Sequence, residues 1–75
     1  MKSVLDMKIS ETARIKRITA QEPVKGRLTA MGIAKGNLIK LLDHTLKKQT
    51  WEVEVEGTRV ALRKEEAASI MVEEI

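Results

Sequence analysis

WEVEVEGTRVALR, Trp51 to Arg63, is the stretch that decides the fold class. Trp51, Val53 and Val55 alternate with Glu52, Glu54 and Glu56, the period of two of a strand with one face buried and one in water. Glu56-Gly57-Thr58 punctuates the chain, and Val60 and Leu62 then resume the inward positions between Arg59, Ala61 and Arg63. Two alternating runs joined by so short a connection describe an antiparallel β-hairpin.

Beyond the hairpin, Lys64 to Ala68 contains good helix formers but has room for one turn, and Ile70 with Val72 restores strand spacing. Before it, Leu38 to Asp43 is apolar enough for a buried strand, and His44 to Thr50 reads as an exposed, lysine-rich loop. Thr12 to Ala20 is a strand with a fault. Ala13 and Ile15 share a face, Ile18 falls out of period by one, and a bulge near Lys16-Arg17 would restore it. Pro23 suits the start of a helix, and Val24, Leu28 and Met31 recur at helical spacing, so a short helix is expected from Pro23 to Met31. Its start lacks a strong cap, since Gln21 and Glu22 are weak capping residues, and Gly26 weakens its interior.

The pattern predicts a mainly β chain. Consecutive antiparallel strands hide their edges by closing, which points to a small SH3-like β-barrel of about five antiparallel strands with a short helix after the first strand. With 75 residues, the expectation is one domain over residues 1–75. There is no cysteine, which excludes disulfides, thiolate metal sites and cysteine nucleophiles. No apolar run approaches the roughly 18 residues of a membrane span, and Asp6 and Lys8 interrupt the start of the chain, so a cytoplasmic location is expected.

Residues 1 to 50 carry eleven Lys or Arg against four acids, a net of +7, whereas residues 51 to 75 carry three against seven, a net of −4. Such polarity suits an acidic partner surface or a phosphate backbone. Gly32 and Gly36 in RLTAMGIAKGNLIKLL, Arg27 to Leu42, suggest a phosphate loop, but their spacing is three rather than four and Asn37-Leu38 follows instead of Lys-Ser/Thr. The glycines read instead as a helix stop and a turn before a strand. Glu52, Glu54 and Glu56 form a solvated strand face rather than a metal cluster, and His44, the single histidine, is the one weak candidate for a transition-metal ligand. A triad has too few parts, so no enzyme is expected and no cofactor is implied. Trp51 is the sole aromatic and points inward, which removes the stacking surface that single-stranded nucleic acid uses and makes such a partner a minor alternative. The scattered Met1, Met7, Met31 and Met71 read as core filling and chain start.

The ordered motifs Ala13-Arg14-Ile15, Arg27-Leu28, Met31-Gly32-Ile33, Lys35-Gly36, Val53 to Gly57, Val60-Ala61-Leu62-Arg63, Glu66-Ala67 and Ile70-Met71-Val72 resemble the FeoA family over most of the chain. Lys35 stands where that family usually has proline, and Ser10-Glu11 where it commonly has a glycine. The resemblance implies an SH3-like barrel that catalyses nothing and assists ferrous-iron uptake by contact with the cytosolic part of a membrane transporter carrying a GTP-binding domain. The expected contact surface is the basic face around the helix, Lys25, Arg27 and Lys35, with Met31 and Ile33 as its apolar centre. The same fold resembles the C-terminal domain of metal-dependent repressors of the diphtheria-toxin-repressor type, which keeps open an alternative: a free-standing metal-responsive or nucleic-acid-binding module.

Overall fold

A computed structural model describes residues 2–47 and 49–75. The hairpin is formed as its pattern requires: β4 (Thr50–Val55) pairs with β5 (Thr58–Arg63), and Trp51, Val53, Val55, Val60 and Leu62 are buried. Its turn has two residues, Glu56 and Gly57, with φ of 53° and 74°. Two successive positive φ values match the right-handed twist of the flanking strands. Glu56 therefore belongs to the turn and not to the acidic strand face.

The remaining strands are β1 (Lys2–Ser3), β2 (Thr12–Ile18), β3 (Leu38–His44) and β6 (Ile70–Glu74). All pair antiparallel in one six-stranded sheet of order β1-β6-β2-β3-β4-β5. The sheet departs from the expected five-stranded barrel in two ways. The sheet has six strands and is open, because β1 and β5 are its edges and do not pair with each other. The helix α1 (Val24–Ala30) follows the second strand, since Lys2 and Ser3 already pair with Val72 and Met71.

Closure fails at the two edge strands. β1 is two residues long and turns at once into a one-turn 3-10 helix, Val4–Asp6, while β5 runs directly into a second helix, α2 (Lys64–Ala68). These two short helices pack on each other, and Val4 and Ala67 are fully buried. The 3-10 helix is held by a capping box in which Leu5 N–H donates to Ser3 Oγ at 3.2 Å and Ser3 N–H donates to Asp6 Oδ2 at 3.0 Å.

Two bulges bend the sheet around its core. The expected one lies in β2, where Ile15 faces Val72 and Arg17 faces Met71, leaving Lys16 without a partner. Beyond it Ile18 packs partly against the core. A second lies in β3, where Leu41 faces Val53 and Asp43 faces Glu52, so that Leu42 is extra. The loop expected at His44 to Thr50 begins one residue later, since His44 ends β3; Lys48 within it lies outside the described residues, as does Met1.

At the chain start the Lys2 ammonium is hydrogen-bonded to the Glu11 carboxylate, which also accepts the Lys8 N–H at 2.9 Å. The Lys2 bond first, and the Lys8 N–H second, hold the Glu11 carboxyl below the usual carboxylate range, while Glu11 raises Lys2 above the usual lysine value. The depressed carboxyl stabilises the fold above the ordinary carboxylate pKa, and that contribution is lost as pH falls through the folded value. The raised ammonium stabilises it below the ordinary lysine pKa, and that is lost as pH rises through the folded value. Glu11→Gln is therefore expected to lower the urea midpoint at neutral pH, with the deficit vanishing in acid; a urea series across pH measures it.

Candidate docking surface

The helix α1 is placed by its two ends. At its start, Pro23 contributes no side-chain cap, but the Glu22 carboxylate reaches forward and accepts the Gly26 N–H at 2.8 Å. A Cβ at Gly26 would stand 2.8 Å from that oxygen, so the glycine that weakens the helix also makes room for its cap. Val24, Leu28 and Met31 face inward, with Leu28 fully buried and the other two packed partly against the core.

The other end closes in a Schellman motif: Gly32 N–H donates to Thr29 C=O at 3.0 Å and Ile33 N–H to Leu28 C=O at 3.0 Å, with Gly32 at φ +90°. This motif brings the second residue past the cap against the last buried helical side chain, and Ile33 is accordingly 0% exposed. The expectation that Ile33 forms the apolar centre of a contact surface is thereby overturned; it belongs to the core. A Cβ on Gly32 would meet Glu56 Cγ at 3.5 Å and Val55 Cγ1 at 3.6 Å, ordinary contacts, so the cost of substitution is conformational. Gly32→Ala is expected to lose about 1 kcal/mol and Gly32→Asn less, as chemical denaturation would record.

A second turn follows at once. Asn37 N–H donates to Ala34 C=O at 3.1 Å, with Lys35 at the second and Gly36 (φ +94°) at the third position, the pattern of a type II turn. Proline is favoured at that second position because its φ is already fixed there, but lysine is compatible with it. Gly36 N–H donates to Ile15 C=O at 2.8 Å and Ile15 N–H to Asn37 C=O at 2.9 Å, which ties the turn to β2. Arg14 Nη1 reinforces the tie by donating to Gly36 C=O at 2.9 Å.

Because both turns are anchored, α1 and β2 stand side by side with an open groove of about 290 Å3 between them, lined by Arg17, Ile18, Lys25, Thr29, Ala34 and Lys35. Three cations surround it. Among the described residues the ion pairs involve Lys2, Arg27 and Arg59, and none involves Arg17, Lys25 or Lys35. Three unneutralised cations around a partly apolar floor attract a carboxylate-bearing or phosphate-bearing surface.

Arg27 lies on the opposite flank of α1, where its guanidinium pairs with Glu66 of α2 above a second groove lined by Val24, Arg63, Glu65 and Ser69. So Lys25 and Lys35 are brought together, Met31 is half withdrawn, and Arg27 faces Glu66 of α2 instead. Arg17 joins the group through the β2 bulge, and the irregular spacing of Ile15 and Ile18 was its sequence signal.

Elsewhere the charge polarity along the chain dissolves in the sheet. Glu54 stands between Lys40 and Arg59, Glu73 faces Arg14, and Arg59 lies 3.7 Å from Glu52. Exposed pairs of this kind contribute little each, but they neutralise that face.

His44 sits at the end of β3 with its Nδ1 3.2 Å from Thr45 O and its ring 6.4 Å from that of Trp51. Asp43 and Glu52 line the same small pocket, yet no three His, Cys, Asp or Glu among the described residues are placed to hold a metal ion. Ser69 Oγ donates to Glu66 C=O at 2.7 Å, and Ser3 is engaged in its cap.

Comparison with solved structures places these features in a known fold. Iron(II) transport protein A from Clostridium thermocellum superposes with a TM-score of 0.93 at 24% identity, over 99% of this chain and 46% of that one. The chain thus spans about half the length of that relative. FeoA from Stenotrophomonas maltophilia, solved with zinc and described as an SH3 domain protein with a suggested role as a ferrous iron transport activating factor, gives 0.86 at 22% identity over 97% of this chain and 91% of that one. A manganese-dependent transcriptional repressor gives 0.90 at 17% identity over 99% of this chain and 41% of that one. At these identities the likeness establishes an SH3-like fold. No curated protein matches the chain. The family model of the FeoA domain matches residues 2–74, and the chain belongs to the FeoA family.

Proposed function

We propose that this chain is a non-catalytic accessory of ferrous-iron uptake that works in the cytoplasm by docking on the cytosolic, GTP-binding part of a membrane iron transporter. The observation that carries the reading is the groove between α1 and β2, where Arg17, Lys25 and Lys35 stand without a carboxylate partner among the described residues. Membership of the FeoA family supports the iron connection, and no helix among the described residues is long and apolar enough to cross a membrane, which suits a contact made from one side.

Lys25 and Lys35 form the centre of the contact, Arg17 and the half-buried Met31 its margin, and Arg27 lies on the other flank of α1, paired with Glu66. Charge reversal of Arg17, Lys25 and Lys35 together is expected to reduce co-purification with the transporter by at least about tenfold, the effect of opposing like charges at a steered interface. Unchanged co-purification and iron uptake in a folded triple variant would refute the assignment.

The likeness to a manganese-dependent repressor favours a second reading, a regulatory module that responds to metal or binds nucleic acid. Micromolar calorimetric binding of Fe(II), Mn(II) or Zn(II) that is lost in His44→Ala, or DNA affinity falling steeply with salt, would select it.

A further inference from the structure

The open sheet leaves β5 as an edge, and the two-residue turn fixes which of its backbone groups face outward. In such a hairpin the pair flanking the turn, Val55 and Thr58, is a hydrogen-bonded pair, and every second pair repeats this. Thr58, Val60 and Leu62 therefore spend their N–H and C=O groups on β4, whereas those of Arg59, Ala61 and Arg63 point off the sheet. The structure bears this alternation out at its end: Arg63 N–H is taken by Glu66 Oε1 of α2 at 2.9 Å rather than by β4. Arg59 and Ala61 form no such bond to any other described residue. Their side chains, with that of Arg63, are exposed.

Two donors and two acceptors at alternate positions are a template for another strand. A second copy of this edge is a poor occupant, because pairing centred on Ala61 sets Arg59 opposite Arg63 of that copy, and pairing centred on Val60 sets the same guanidinium groups on the diagonal. Carboxylates fit instead. On the occupied side of β5, Glu54 is already opposite Arg59 and Glu52 lies 3.7 Å from its guanidinium.

We propose that the β5 edge accepts an extended acidic segment of a partner protein as a seventh strand, exchanging backbone hydrogen bonds with Arg59 and Ala61 and meeting the Arg59 and Arg63 guanidinium groups with its carboxylates. This surface is separate from the groove beside α1, and neither reading depends on the other.

The test is an amide-resolved titration of the whole 15N-labelled chain with the capped hexapeptide Thr-Glu-Val-Glu-Val-Thr and its lysine counterpart Thr-Lys-Val-Lys-Val-Thr. The acidic peptide is expected to slow hydrogen exchange at Arg59 and Ala61 about tenfold near saturation. The lysine peptide is expected to bind at least about fivefold more weakly at low salt. Ala61→Pro removes an outward N–H at a position where an edge strand tolerates proline, and should abolish the effect. Should that variant not fold, Arg59→Glu, which keeps the backbone groups, is expected to reverse the preference between the two peptides. Undisturbed Arg59 and Ala61 amides at about millimolar peptide overturn the proposal, as does equal binding of both peptides or a dimer that protects these amides unaided. Shifts confined to Arg17, Lys25 and Lys35 overturn it as well, while leaving the proposed function standing.

Discussion

Leu28→Ala is expected to cost about 3 kcal/mol, close to the whole stability of a domain this small. Leu28 is the one fully buried residue of α1, and its carbonyl accepts the Ile33 N–H that closes the Schellman motif. Truncating it removes a core side chain and leaves a void that Val24 and Met31, each only partly inward, are poorly placed to fill. Because α1 forms one wall of the basic groove, the loss should reach the proposed docking surface too. Thermal melting is expected to show a large drop in midpoint, and binding to the transporter's cytosolic part should weaken even at temperatures where the variant remains folded. Leu28→Met, close to it in volume, should lose less than about 1.5 kcal/mol.

The second large effect belongs to Glu66. Its side chain is about 10% exposed, with one oxygen accepting the Arg63 N–H at 2.9 Å and the other paired with Arg27. Glu66→Ala removes the cap of α2 and the link to α1 in one step, and about 2 kcal/mol is expected from the cap and its orphaned donor together. The ion pair adds little to that figure, since Arg27 is 59% exposed and its charge is screened by water. Glu66→Gln separates the two parts, because an amide oxygen still accepts from Arg63 while the charge is gone; its cost should stay below about 1 kcal/mol. A double-mutant cycle with Arg27→Ala measures the coupling directly, and chemical denaturation of the four proteins is sufficient.

What the sequence disclosed follows from the range of the interactions involved. The β4–β5 hairpin, the bulge in β2 and the helix stop at Gly32 are local patterns, and each was legible because neighbours a few residues apart decide it. β1 was not legible: a two-residue strand has no period, and its partners Met71 and Val72 lie at the other end of the chain. The 3-10 helix after it carried a readable signal, the Ser3-x-x-Asp6 spacing of a capping box, that its shortness disguised. The open sheet follows from where α2 and the 3-10 helix pack, which no local pattern specifies.

The candidate site was half legible for the same reason. Charge along the chain marked the basic half, but antiparallel pairing returns acidic β4 and β6 to the sides of the basic strands, while Arg17, Lys25 and Lys35 gather around one groove without ion-pair partners among the described residues. Helical spacing alone does not show that Arg27 turns toward Glu66, nor that the cap drives Ile33 inward.

The groove between α1 and β2 is the proposed docking surface. It is tested most directly by adding the transporter's isolated cytosolic GTP-binding part to the 15N-labelled chain and following every backbone amide. Shifts are expected to concentrate at Arg17, Lys25, Thr29 and Lys35 and to weaken as salt is raised. Shifts centred elsewhere, or none while binding is demonstrable by another method, would contradict it.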